Sequence, residues 1–216
     1  RTAPVVAEHL FGLMFAAAKR AAFFTAEMKA GRWPRMDSVM LQGKTIGIIG
    51  TGNIGAEMAR LCRVVGMKVI AWTFNPSPDR AEALGVKFVE LDELLQTADV
   101  VSLHLALTDD SRHIVGDREL GLMKPGSLLV NGARGGVVDT NALINSLKSG
   151  HLGGAAIDVY DEEPLPADHP LLDCEQVVLT PHCADMTPEG VDLLNEGVVE
   201  NVIAFLKGES TNVVNK

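Results

Sequence analysis

Residues 44–55 read KTIGIIGTGNIG. The β-branched residues Ile46, Ile48 and Ile49 make an apolar run long enough for one buried strand of a parallel sheet. Gly50, Gly52 and Gly55 follow as G-x-G-x-x-G, and Ala56 to Val65 carries a helical pattern. A plain βα turn without a ligand has the same glycines. The order strand, glycine turn, helix makes this a dinucleotide-binding fingerprint. Gly50 admits the tight turn, Gly52 lets the backbone approach a pyrophosphate, and Gly55 lets the helix pack near the strand. With Thr51, Asn53 and Ile54 they form the candidate phosphate cradle, where free N–H groups and the positive end of the helix dipole meet the ligand.

Outward from this turn the chain alternates between strand and helix patterns. Strands are predicted at Lys68–Trp72, Asp99–Leu105, Ser127–Val130, Gly154–Val159 and Gln176–Leu179. Helices are predicted at Pro78–Leu84, Leu91–Gln96, Arg118–Met123, Asp139–Lys148 and Pro188–Lys207. Ala3–Lys29 reads as one long helix with an apolar stripe broad enough to meet a second subunit as well as the core, followed by an irregular arm over Gly31–Gln42. The alternation specifies an α/β fold, a doubly wound parallel sheet of the Rossmann type. Ligands of such sheets bind at the carboxyl ends of the strands, which selects the loops to inspect.

Composition narrows the function. The 216 residues are 47% hydrophobic and 22% charged, an ordinary globular balance. A net charge of −9 with no basic run argues against nucleic acid as a partner. The longest apolar stretch, Val5–Phe24, is interrupted by Glu8, His9, Lys19 and Arg20, so it reads as amphipathic and not as a membrane span. Three cysteines without a C-x-x-C suggest free thiols in a reducing, cytoplasmic setting.

Three loops at strand ends carry chemistry. Asn131-Gly132-Ala133-Arg134-Gly135-Gly136 presents an Arg fork suited to a carboxylate. Tyr160-Asp161-Glu162-Glu163-Pro164 supplies carboxylates, and Thr180-Pro181-His182-Cys183 supplies a His. Singly, each reads as a surface pair, a solvated turn and a structural His. Together beside a dinucleotide site they suit oxidoreduction of a carbonyl or alcohol. A Cys183–His182 nucleophile is disfavoured, because adjacent residues on an extended segment point apart. His104, His151, His169, His182 and the cysteines match no metal-ligand spacing, so no metal is expected.

The ordered motifs G-x-G-x-x-G, NGARGGVVD, AAIDVYDEEP and LTPH, with DVVSLHLALT and LMKPGSLLVN between them, resemble the D-isomer-specific 2-hydroxyacid dehydrogenase family from about Ala7 to Val214. The resemblance implies a nicotinamide cofactor and hydride transfer at C2 of a small 2-hydroxy or 2-keto acid. It places the catalytic Arg, Glu and His on Arg134, Glu163 and His182. It also places His104, Leu105, Ala133, Arg134, Asp158 and His182 near the cofactor, with Asp158 near the nicotinamide carboxamide; capping of nearby backbone is the plainer role for Asp158. Where many NAD-linked members carry an acidic residue after the second strand, this chain has Thr73, so NAD is expected to be preferred without NADP being excluded. Ala106 replaces the family's usual Pro.

Residue 1 is Arg, and a helical pattern starts almost at once. We expect residues 1–216 to be a dinucleotide-binding domain cut from a longer protein, with the substrate-binding domain absent and turnover poor. The resemblance also implies a homodimer. A dinucleotide-sensing corepressor of the same family is the alternative, and a methyltransferase is a distant third.

Overall fold

A computed structural model of the chain describes residues 1–209 and 211–213; Val214, where the resemblance ends, lies outside them. Seven strands form one sheet: β1 (Thr45–Ile49), β2 (Lys68–Trp72), β3 (Lys87–Phe88), β4 (Val100–Leu103), β5 (Leu128–Asn131), β6 (Gly154–Ile157) and β7 (Val177–Leu179). Their order is β3-β2-β1-β4-β5-β6-β7, and every pair is parallel. The winding reverses between β1 and β4, which opens a crevice beyond their carboxyl ends. This is the predicted doubly wound sheet.

The helices are α1 (Ala3–Ala18), α2 (Ala21–Lys29), α3 (Asn53–Val64), α4 (Pro78–Leu84), α5 (Leu91–Thr97), α6 (Asp117–Leu122), α7 (Thr140–Lys148) and α8 (Pro188–Leu206). Strand residues alternate between two cores. Ile46, Ile48 and Val130 pack with Leu10 and Met14 of α1 and Met58 and Cys62 of α3. Ile49, Val101, Leu103 and Leu129 pack on the other face with Leu94, Leu120 and Leu143 from α5, α6 and α7. Gly47 has no side chain for a reason: a Cβ there would overlap Leu94.

The predicted long helix is broken. α1 ends at Ala18, whose carbonyl accepts from the Val39 N–H as the arm returns, and Lys19 Nζ donates to the Val39 carbonyl. Arg20 then adopts a left-handed conformation before α2 begins. α1 buries seven residues and α2 none, so the apolar stripe of the first helix is spent inside the chain's own core. The arm leaves Trp33 76% exposed, with Met36 and Met40 also exposed. β4, β6 and β7 are shorter than predicted at one or both ends, and the two-residue β3 had no sequence signal. No described helix is long and apolar enough to cross a membrane.

Candidate active site

The glycine turn sits at the carboxyl end of β1. Gly50 has φ +92°, and a Cβ on it would lie 2.8 Å from the His104 carbonyl oxygen, so the turn is pressed against the segment leaving β4. A Cβ on Gly55 would overlap the Gly50 carbonyl oxygen. A Cβ on Gly52 meets nothing within 4 Å. Two glycines are therefore required by the protein's own packing, and the third borders open space. Gly52 is also the N-cap of α3, with no side-chain cap and no acidic residue in the first turn. The N–H groups around Asn53 and Ile54 are thus left for an external anion. A dinucleotide pyrophosphate fits this cradle.

Thr73 follows β2 and is half-buried, while the neighbouring Phe74 ring packs edge-on to Trp72, 4.9 Å between centroids. Arg80, in the first turns of α4, reaches back to the glycine loop. Its guanidinium donates to the Thr51 carbonyl at 2.8 Å, to Thr51 Oγ1 at 2.9 Å and to the Asn75 carbonyl at 3.2 Å. Arg80 lies seven residues beyond Thr73 in the sequence, which gives no sign of this contact. His104 pairs with Ser102 Oγ at 2.9 Å, and its buried Nδ1 has no partner. Burial pushes His104 down to about 4, so the ring is neutral at physiological pH. Leu105 touches the same turn.

The loops after β5, β6 and β7 are bound to one another. Asn131 Oδ1 accepts from the Ala133 N–H, and Asn131 Nδ2 donates to the Arg134 carbonyl, which shapes the Arg134 loop. A Cβ on Gly135 would overlap the Tyr160 backbone, so the first two loops touch through main chain. Tyr160 Oη donates to the Thr180 carbonyl at 2.9 Å, joining the second loop to the third. Burial, with the Asp158 and Glu163 carboxylates beside it, pushes Tyr160 up to about 12, so it stays a donor.

These ties bring Glu163 and His182 together. His182 Nδ1 lies 2.7 Å from Glu163 Oε2, and Glu163 Oε1 accepts from the Tyr160 N–H at 2.9 Å. The hydrogen bond with His182 first, then the Tyr160 N–H and the nearby Arg134 charge, hold the Glu163 carboxyl below its usual range. His182 itself has φ +52°, a left-handed backbone that a residue with a Cβ adopts at some strain. Arg134 is exposed, and its Nη1 donates to the Ala133 carbonyl at 2.6 Å. A cavity of about 640 Å³, walled largely by Leu165, Leu172, Leu179 and Pro181, opens beside the Glu163–His182 pair.

Asp158 is 1% exposed. It accepts from Thr180 Oγ1 at 2.6 Å and from the N–H groups of Cys183 and Ala184 at 3.1 and 3.2 Å. Its observed work is the backbone capping weighed above as the plainer role. Three of its partners flank His182, so it anchors the loop that carries the imidazole. His9 of α1 joins this cluster, its Nε2 3.2 Å from Thr180 Oγ1 and 3.5 Å from Asp158 Oδ1. Sequence reasoning missed His9, because nothing local in an amphipathic helix marks a residue that meets a loop so far along the chain.

Comparison with known proteins agrees with this geometry. A family model described as D-isomer specific 2-hydroxyacid dehydrogenase, NAD binding domain, matches residues 11–184. A glyoxylate reductase of Thermococcus litoralis is 40% identical over 97% of this chain and 66% of its own length. A D-3-phosphoglycerate dehydrogenase of Methanocaldococcus jannaschii is 41% identical over 97% of this chain and 41% of its own. The structure of a D-lactate dehydrogenase from Aquifex aeolicus, complexed with NAD and lactic acid, has a TM-score of 0.85 at 32% identity, covering 95% of this chain and 67% of that one. The chain thus spans less than two thirds of the two curated relatives, and nothing in them supports the corepressor alternative. Sheet order, glycine turn and the ordered loop motifs all accord with these matches, and the chain belongs to the D-isomer-specific 2-hydroxyacid dehydrogenase family, matching its NAD-binding domain.

Proposed function

We propose that this chain is the cofactor-holding part of an oxidoreductase that moves a hydride between a nicotinamide cofactor and C2 of a D-2-hydroxy or 2-keto acid. The observation that carries the reading is the 2.7 Å pair of His182 and Glu163 on the sheet edge that also carries the open Gly52 turn. Gly50–Gly55 and the start of α3 hold the pyrophosphate. Thr73 and Arg80 border the adenosine end, and His104, Leu105, Ala133 and Asp158 border the nicotinamide end. The cofactor, once bound, supplies the hydride acceptor or donor.

Glu163 accepts from Nδ1 of His182, which fixes the tautomer and leaves Nε2 to take the proton of the substrate hydroxyl. In the reverse direction Nε2 returns that proton, and Glu163 stabilises the imidazolium while it lasts. Arg134 offers its guanidinium fork to the substrate carboxylate and so turns C2 toward the cofactor. The second wall of the cleft belongs to a substrate-binding domain of the whole protein. This chain alone binds dinucleotide and turns over poorly.

NAD is the preferred cofactor, with weak discrimination. Thr73 does not repel a 2′-phosphate, and Arg80 adds positive charge nearby. A calorimetric titration with NADH and NADPH side by side tests this. Binding of neither removes the functional reading for this chain, and NADPH binding as tight as NADH removes the preference. The exposed Trp33, Met36 and Met40 on the arm favour a homodimer, which light scattering at micromolar concentration checks. The free thiols Cys62, Cys174 and Cys183 suit a reducing, cytoplasmic setting, and the net charge of −9 argues against a nucleic-acid partner.

A further inference from the structure

We propose that His9, Asp158 and Cys183 form a binding site for a soft divalent cation of the zinc class. One ring nitrogen, one carboxylate oxygen and one thiol sulfur lie within 4.8 Å of one another. In a tetrahedral zinc site, bonds of about 2.0–2.3 Å put neighbouring ligand atoms roughly 3.3–3.8 Å apart. His9 Nε2 and Asp158 Oδ1 are already 3.5 Å apart. The residues come from α1, the end of β6 and the loop after β7. A search for ligand spacing along the chain therefore finds nothing, and the expectation of no metal rested on such a search.

The charge balance points the same way. Asp158 is buried, and among the described residues no lysine or arginine lies within ion-pair distance of it; His9 is its one titratable basic neighbour. A buried carboxylate without a full positive partner attracts a cation. The Cys183 N–H donates to Asp158 Oδ1 and the Ala184 N–H to Oδ2, and these bonds fix the carboxylate's orientation, as outer partners do in metal sites. Thr180 Oγ1 lies between Asp158 and His9, and its proton turns away to free a lone pair of Asp158 Oδ1. On binding, the Cys183 thiol releases its proton to water and a metal–sulfur bond forms, with no change of oxidation state. Imidazole, carboxylate and thiolate together select zinc or cobalt over magnesium. Three protein ligands leave the fourth position of a tetrahedral site to water or an added ligand. If the functional reading holds, a cation here obstructs the nicotinamide end, so zinc inhibits; the site itself does not depend on that reading.

Titration of the metal-free protein with Co²⁺ tests the proposal. The expected result is one equivalent bound with a thiolate-to-cobalt absorption band, displaced by Zn²⁺ and untouched by Mg²⁺. Cys183→Ser abolishes the band, and both Cys183→Ser and His9→Gln weaken zinc binding at least ~10-fold in chelator competition. Melting curves check that both variants fold. Should either not fold, protection of Cys183 from alkylation by Zn²⁺ in the unmodified protein, read by peptide mass, gives the answer. Absence of the band, absence of protection, or zinc binding by Cys183→Ser as tight as the parent overturns the site. NADH titration in parallel separates the two readings: zinc without NADH binding leaves the site and removes the function, and NADH without zinc does the reverse.

Discussion

The two halves of the crevice are built by different means. Around Gly50–Gly55 the geometry comes from side chains that are missing: backbone lies on backbone, and the turn is pressed against the His104 carbonyl. Around His182 it comes from side chains that are present, as Asn131, Asp158, Tyr160 and Glu163 each bond the backbone of the Arg134, Glu163 or His182 loops. The first design is rigid, and at Gly50 and Gly55 it leaves no room for an added atom. The second is a set of separate hydrogen bonds, each removable with a graded effect.

The sharpest break of the contrast is on the side-chain half. In the whole protein, His182→Ala should lower kcat by roughly 10²–10⁴-fold and leave NADH affinity nearly intact. Unchanged kcat would remove the imidazole from the reaction. On the backbone half, Gly55→Ala forces a Cβ into the Gly50 carbonyl, and we expect a loss of about 3 kcal/mol in denaturant unfolding, with NADH binding lost alongside. A fully stable Gly55→Ala protein would mean that the turn yields more easily than its contacts imply.

His104 stands between the halves. Its folded value of about 4 lies below the ordinary value near 6.5, so the unfolded chain binds the proton first as pH falls. Stability should therefore decline from about pH 6.5 down to about pH 4, by about 3 kcal/mol, and His104→Gln should remove that portion of the decline. Parallel pH–stability curves for both proteins would refute the burial of this ring. The smallest effect is at Gly52, where φ is −68° and a Cβ meets open space. Gly52→Ala should fold as well as the parent yet bind NADH roughly tenfold more weakly. Loss of folding there would mean the glycine serves packing and not a ligand.

Legibility in the sequence followed the same division. The glycine half rests on local pattern, and β1, β2 and α4 were found where the apolar run and Pro78 put them. The Arg134, Glu163 and His182 loops were found too, because each follows a strand. What bonds them was not legible. Tyr160 and His9 act across long stretches of chain, and no periodicity reports a contact of that kind. The break at Arg20 was missed for a related reason. No Gly or Asn marks the left-handed turn, and it is the returning arm, through Val39, that ends α1. Asp158 is marked in the sequence by its place at a strand end, while its observed partners are Thr180, His9 and the chain's own backbone.

The left-handed backbone at His182 has an evolutionary side. A residue with a Cβ in that conformation costs about 1 kcal/mol relative to glycine, so His182→Gly should make the fold sturdier while removing the proton carrier of the proposed mechanism. A laboratory selection for heat resistance alone would drift toward glycine there, and a selection for turnover would pull back to histidine. On the proposed mechanism, position 182 is thus a local measure of how much robustness this protein forgoes in order to work.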